Sequence, residues 1–247
     1  MKKQILLIAT FFATMPLMAS SATKIVKGTS GGHEWVDLSL TSGTLWATCN
    51  IGAANPWDNG DYYAWGETET KGYYDWDTYK YYDKDGLFKY YNSRTNGTVN
   101  SKTILEADDD AAIANWGNGW VMPTRDDFQE LYDECYWEWT DNYRGKNKAG
   151  YIVYKSYNKT KDKQTIKESG HAYSIANDIH IFLPAAGCRI ELKTIRVGLD
   201  GYYWSSSIYS VGPAAARLCH IYKEGVSATG YDGREHGNTV RPVRRSN

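Results

Sequence analysis

Apolar and polar positions alternate first at Val36, Leu38 and Leu40, set against Trp35, Asp37 and Ser39. That period of two predicts a strand with one wet face. Thr41-Ser42-Gly43 turns the chain, and Leu45, Ala47, Cys49 and Ile51 then share one face of a second predicted strand. A polar, Tyr-rich stretch follows over 55–101, with a short strand expected at Asp61–Trp65. The period changes in the middle of the chain. Asp108–Asp110 precede Ala111-Ala112-Ile113-Ala114, acids where a helix N-terminus favours them. Thr124 and Asp127 have capping-box spacing, and Phe128, Leu131, Tyr132 and Cys135 recur on one helical face. A polar hairpin region (141–170) leads to four strand-like runs at Ile179–Cys188, Tyr202–Ser207, Ala215–Tyr222 and Thr239–Val243. Two short helices between strands at both ends predict an α+β domain whose termini meet in one small antiparallel sheet.

The start of the chain reads differently. Lys2 and Lys3, the apolar run from Ile5 to Met18, and the small residues Ala19 to Ala22 have the layout of a secretory signal. The apolar run falls short of the roughly 20 residues that span a bilayer. No cysteine follows it to carry a lipid. We therefore expect a signal peptide over 1–22, a short leader over 23–32 and one domain over 33–247, exported and then secreted, periplasmic or held at the cell surface.

A net charge of -1 offers no basic field, which excludes nucleic acid as the expected partner. The 21 Tyr and 10 Trp against 5 Phe favour rings with a polar tip, suited both to recognition surfaces and to pinning a loop-rich core. Cys49, Cys135, Cys188 and Cys219 are open to three disulfide pairings or to a life as buried free thiols. The five histidines have no H-E-x-x-H or H-x-H spacing and no C-x-x-C accompanies them, so no metal or cofactor is expected. Gly28-Thr29-Ser30-Gly31-Gly32 matches a nucleophile elbow in letters, but it lies in the leader and precedes a strand where that motif needs a helix. Asp108–Asp110 is a helix start rather than a calcium loop. No catalytic residues are assigned.

Seven motifs in order carry a resemblance. They are His33–Leu38, Ser42–Asn50 (Ser-Gly-Thr-Leu-Trp-Ala-Thr-Cys-Asn), Tyr63–Glu67, Trp120–Thr124, Leu183–Gly187, Gly201–Ser207 and Val240–Val243. Together they resemble the Fibrobacter succinogenes major paralogous domain family, over about residues 33 to 243. That family is similar to the formylglycine-generating-enzyme-like branch of the C-type lectin fold. The resemblance implies a single loop-rich α+β domain with a small twisted sheet, in a secreted or surface protein. Two departures limit it. Cys188 and Cys219 lack the close cysteine pair of the copper oxidases, and the calcium-ligating triplets of the sugar-binding lectins do not occur.

The stretch between Trp204 and Val240 also looks like the variable region of proteins diversified by retroelements. In that likeness Pro213, Ala216, Leu218, Val226, Arg234 and Gly237 are framework. Ile208, Tyr209, Ser210, Val211, Gly212, Ala214, Arg217, Cys219, Glu235, His236 and Asn238 are free positions. Glu235 alone departs clearly from the residue types reached by changing adenines in Asn codons. With Trp204 added, these positions are the expected ligand contacts of a non-enzymatic binding or adhesion module, facing a protein or glycan at a cell surface. The alternative is a carbohydrate-binding or carbohydrate-active protein using the Tyr/Trp-rich segment 57–92.

Overall fold

Two glycines set the first hairpin. Gly31 and Gly32 sit at φ 58° and 85°, the pair of positive values that a two-residue turn demands and glycine adopts without strain. In the computed structural model, which describes residues 26–84, 86–87, 89–90, 102–156, 173–174 and 178–245, this turn joins β1 (Lys27–Ser30) to β2 (His33–Asp37). The expected leader thus supplies an edge strand from Lys27 onward. The segment 1–22 lies outside the described residues. Ser30 runs into this hairpin and not into a helix, so the elbow geometry is absent there.

β3 (Thr44–Ala47) pairs with β2, and β14 (Val243–Arg245) pairs with β3. The order β1-β2-β3-β14 brings both ends of the described chain into one antiparallel sheet, as the patterning predicts. Several strand limits differ from expectation. β2 ends at Asp37, short of Leu38 and Leu40, and Ser39 at φ 54° lies outside strand geometry. β3 stops at Ala47 and all four of its residues are buried, and a strand covered on both faces loses its period of two. Before β14, Pro242 has no N–H to give a ladder, and Asn238 and Thr239 make only single bridges, to Tyr63 and Tyr203. Tyr63 is likewise the one bridged residue of the expected strand 61–65, which pairs with that irregular run and gains no ladder of its own.

The helices follow their caps. Asp110 accepts from Ala112 N and Ile113 N at 2.8 and 3.1 Å and starts α1 (Ala111–Trp116). Thr124 and Asp127 form the full capping box of α2 (Arg125–Glu134), which buries Phe128 and Leu131. Neither helix, nor any other among the described residues, is long and apolar enough to cross a membrane.

The remaining strands are antiparallel as well. β4 (Tyr82–Asp83) and β5 (Gly86–Leu87) form a minimal pair. β6 (Tyr136–Thr140), β7 (Gly150–Ser156) and β8 (Asp178–Pro184) form a meander. The expected strand 179–188 breaks after Pro184 and resumes as β9 (Cys188–Ile190), paired with β10 (Lys193–Ile195). β11 (Asp200–Ile208), β12 (Ala215–Tyr222) and β13 (Gly225–Gly233) form the last sheet. β13 has no strand signal in its Gly-Val-Ser-Ala-Thr-Gly run, and pairing with β12 makes the strand.

That last sheet divides two apolar cores. Trp204 and Leu218 pack with Trp65, Tyr74, Tyr79, Tyr90 and Ala112 on one side. Tyr203, Cys219 and Ile221 pack with Trp46, Phe128, Leu131, Val153 and Leu183 on the other. The four cysteines are free, three of them buried, and burial pushes the Cys188 thiol up to about 12. Arg241, with no exposure, ties the halves together. It donates to Ala47 O, Thr48 O, Phe182 O and Asn50 Oδ1 at 2.7 to 3.1 Å.

Arg241→Ala strands those four oxygens, and urea unfolding should show a loss of about 3–5 kcal/mol. A loss below about 1 kcal/mol contradicts the clamp. Alkylation in denaturant without reductant should label all four cysteines; two protected pairs would contradict the free thiols.

Candidate recognition site

The sheet β11-β12-β13 carries most of the expected contacts, and its register decides which of them reach solvent. Pairing runs from Asp200 opposite Tyr222 to Trp204 opposite Leu218, then shifts before Ile208 meets Ala216. Beyond that irregularity the chain turns through 209–214, with Ala215 N bonded to Gly212 O at 3.1 Å. Buried Arg234 holds the base of this turn. Its N–H groups reach Pro213 O, Lys89 O and Tyr79 Oη at 3.2, 2.9 and 2.8 Å, and its guanidinium lies 4.8 Å from the Trp65 ring centre.

At the tip, Tyr209 and Tyr231 stack with ring centres 4.3 Å apart and planes within 8°. Arg217, directly opposite Tyr231 in the ladder, lays its guanidinium 4.5 Å from the Tyr209 ring centre. A bond of 2.7 Å to Thr229 O fixes that guanidinium. Val211 is 78% exposed and Tyr231 60%, and Ser210 and Ala214 are exposed beside them.

The structure therefore separates the expected contacts into two groups. Tyr209, Ser210, Val211, Gly212, Ala214 and Arg217 come together at the tip. Trp204, Ile208, Cys219, Glu235 and Asn238 are buried and cannot touch a ligand from these positions. Trp204 gives its indole N–H to Tyr63 O at 2.8 Å. For Trp204, Ile208 and Cys219 the reason is double covering: alternation of framework and free positions presumes one wet face, and β11 and the middle of β12 have none. Glu235 and Asn238 lie beyond β13, packed beside Asp232 and His236. Tyr231 is not among the expected contacts. A lone tyrosine in a Gly/Ser/Thr run, bulky where its neighbours are small, is the sequence feature that marks it.

His236, half-buried, joins a second cluster beside the tip strand. Its Nδ1 lies 2.9 Å from Asp232 Oδ1 and its Nε2 3.3 Å from Glu235 Oε1. Asn238 Nδ2 donates to Asp232 Oδ2 at 3.1 Å. Burial opposes charge on His236, but the Asp232 and Glu235 carboxylates outweigh it and raise its pKa. Burial raises that of Glu235, which His236 only partly offsets. Among the described residues no group of three or more His, Cys, Asp or Glu is placed to hold a metal.

The described aromatics of 57–92 go largely into the first core: Trp65, Tyr74, Tyr79, Tyr81 and Tyr90 are buried, and Tyr62 Oη donates to Ala186 O at 2.6 Å. Asp109 lies in the short helical turn before α1, as expected of a helix start, and also sits among them. It accepts from Tyr81, Tyr90, Lys80 and Lys89. These bonds overcome burial and draw its carboxyl down to about 2. Trp65→Ala would consequently report loss of core, not loss of a ligand.

Compared with protein-family models, characterised proteins and solved structures, the chain returns no match.

Because Glu235 and His236 both titrate above their ordinary ranges in the folded state, each favours folding most below its unfolded pKa. That contribution is lost as pH rises through the folded one. Stability measured by urea at stepped pH should fall above the ordinary imidazole range, and His236→Gln should flatten that fall. An unchanged slope in the variant contradicts the assignment.

Proposed function

We propose that this chain is an exported, non-enzymatic binding protein on a C-type lectin-like framework. It recognises a protein or glycan at a cell surface through the tip made by Tyr209, Ser210, Val211, Ala214, Arg217 and Tyr231. The observation that carries this reading is the solvent-facing stack of Tyr209 and Tyr231 with Arg217 laid against it. Tyrosine and arginine dominate interface energetics because each offers a large, stiff contact area together with directed donors. Here the stack and the Thr229 bond order those side chains in advance, so less conformational freedom is lost on binding.

The same tip suits sequence variation. Its turn is held from beneath by Arg234 and by backbone bonds, supports that do not depend on which side chain stands at Val211 or Ala214. Diversification is accordingly proposed for Tyr209, Ser210, Val211, Gly212, Ala214 and Arg217, and not for Ile208, Cys219, Glu235 or Asn238, where the surrounding core sets the residue. Export rests on Lys2, Lys3 and the apolar run from Ile5 to Met18.

The double variant Tyr209→Ala/Tyr231→Ala should melt with the parent protein. Titrated against glycan arrays and intact cells, it should lose about 2 kcal/mol or more of affinity wherever the parent binds. Equal binding by parent and variant rules the tip out as the recognition surface. Diversification also requires a neighbouring reverse transcriptase and a near-copy of the codons for 203–243 differing at adenines; a gene without both is not diversified.

A further inference from the structure

A cavity of about 320 Å³ shares no residue with the tip, and its volume is within the range of about 300–1,000 Å³ typical of small-ligand sites. It opens between the β1-β2 hairpin, the edge of β8 and the 3₁₀ turn Tyr143–Gly145. Register decides what the hairpin offers. Lys27 stands opposite Val36 and Thr29 opposite Glu34, so these four side chains share the face that lines the cavity. The Trp35 ring lies across Gly28 on the other face and takes no part. Val36 and Ile181, both buried, supply apolar lining. Glu34 is exposed, and its Oε2 accepts from Thr48 Oγ1 at 3.4 Å.

A second wall is held rigid. The buried Tyr143 ring stacks on Phe182, with centres 4.0 Å apart and planes within 3°. Its hydroxyl lies 2.8 Å from His180 Nε2, and His180 Nδ1 lies 2.8 Å from the Tyr173 hydroxyl. With both nitrogens occupied, His180 serves the wall and not a ligand. Next to Tyr143 stands Arg144 at φ 51° and ψ 32°, a left-handed conformation that a residue other than glycine adopts at a cost. Its guanidinium lies 5.3 Å from the Tyr143 ring centre. Arg125, Arg196 and Arg245 each meet a carboxylate. Arg144 and Lys27, both exposed on this cavity, meet none among the described residues.

We infer that this cavity binds a small hydroxylated carboxylate, the chemical class of the sugar acids. A carboxylate needs cationic donors. Arg144 offers a planar fork of them, and Lys27 adds a point charge from the hairpin. Glu34 repels a carboxylate but accepts from hydroxyls, so it fixes which end of the ligand goes where. Thr29 and Thr48 give and take further hydroxyl bonds, and Val36 and Ile181 cover the C–H surface of the ligand. Neither simpler class uses all of this. An inorganic anion leaves Glu34 and the apolar lining without a role, and an uncharged sugar leaves both cations without one.

The test is calorimetric titration of the full domain with glucuronate, galacturonate and gluconate, beside glucose, galactose and inorganic sulfate. At least one acid should bind with a Kd below about 1 mM, and its neutral sugar and sulfate should bind at least about tenfold more weakly. Arg144→Gln and Glu34→Gln, both at exposed positions where folding is not at stake, should each weaken that acid about tenfold. Tyr209→Ala should leave it unchanged, which separates this cavity from the tip. Four results overturn the inference: no acid binding below about 1 mM, a neutral sugar or sulfate binding as tightly as the acid, affinity unchanged in either cavity variant, or affinity lost with Tyr209→Ala.

Discussion

The structure depends on a charge held where charge is expensive. Arg241 is fully buried, and its four hydrogen bonds run to three backbone carbonyls and one side-chain amide. Burial lowers its pKa, yet guanidinium titrates so far above neutrality that the cation persists. Taking such an ion out of water costs several kcal/mol unless its fork of donors meets oxygens already in place. Those oxygens belong to Ala47, Thr48 and Asn50 at and after the end of β3 and to Phe182 in β8. Only one arrangement of three distant segments satisfies it. Arg234 repeats the device on the other side of the C-terminal run, reaching Tyr79, Pro213 and Lys89.

Support and recognition are divided along one sheet. β11 and β12 are gripped by apolar cores on both faces through most of their length. Past the irregularity between Trp204 and Ile208 the chain emerges into solvent at the tip. A surface supported in this way can present changeable side chains without entrusting the fold to them.

Some of this is legible in the residues. The capping box at Thr124 and Asp127, the strand with Val36 inward, and the meeting of the two ends in one sheet are local or periodic signals, and each appears, though that strand ends before Leu38. Other features leave no such trace. β3 is covered on both faces and loses its alternation. β13 is a strand by pairing and not by propensity. Trp204, Ile208, Cys219, Glu235 and Asn238 sit among positions that resemble a variable region, and nothing in their spacing says that each is covered. Two buried arginines look, in sequence, like any surface cation.

The most direct measurement is saturation substitution of positions 204–238 in a display format, sorted for folded protein with no ligand present. A tip carried on a rigid core predicts broad tolerance at Tyr209, Ser210, Val211, Ala214, Arg217 and Tyr231. It predicts near-complete intolerance of polar or oversized residues at Trp204, Ile208 and Cys219, and of any replacement at Arg234. A profile in which the buried positions accept change as freely as the tip would contradict it.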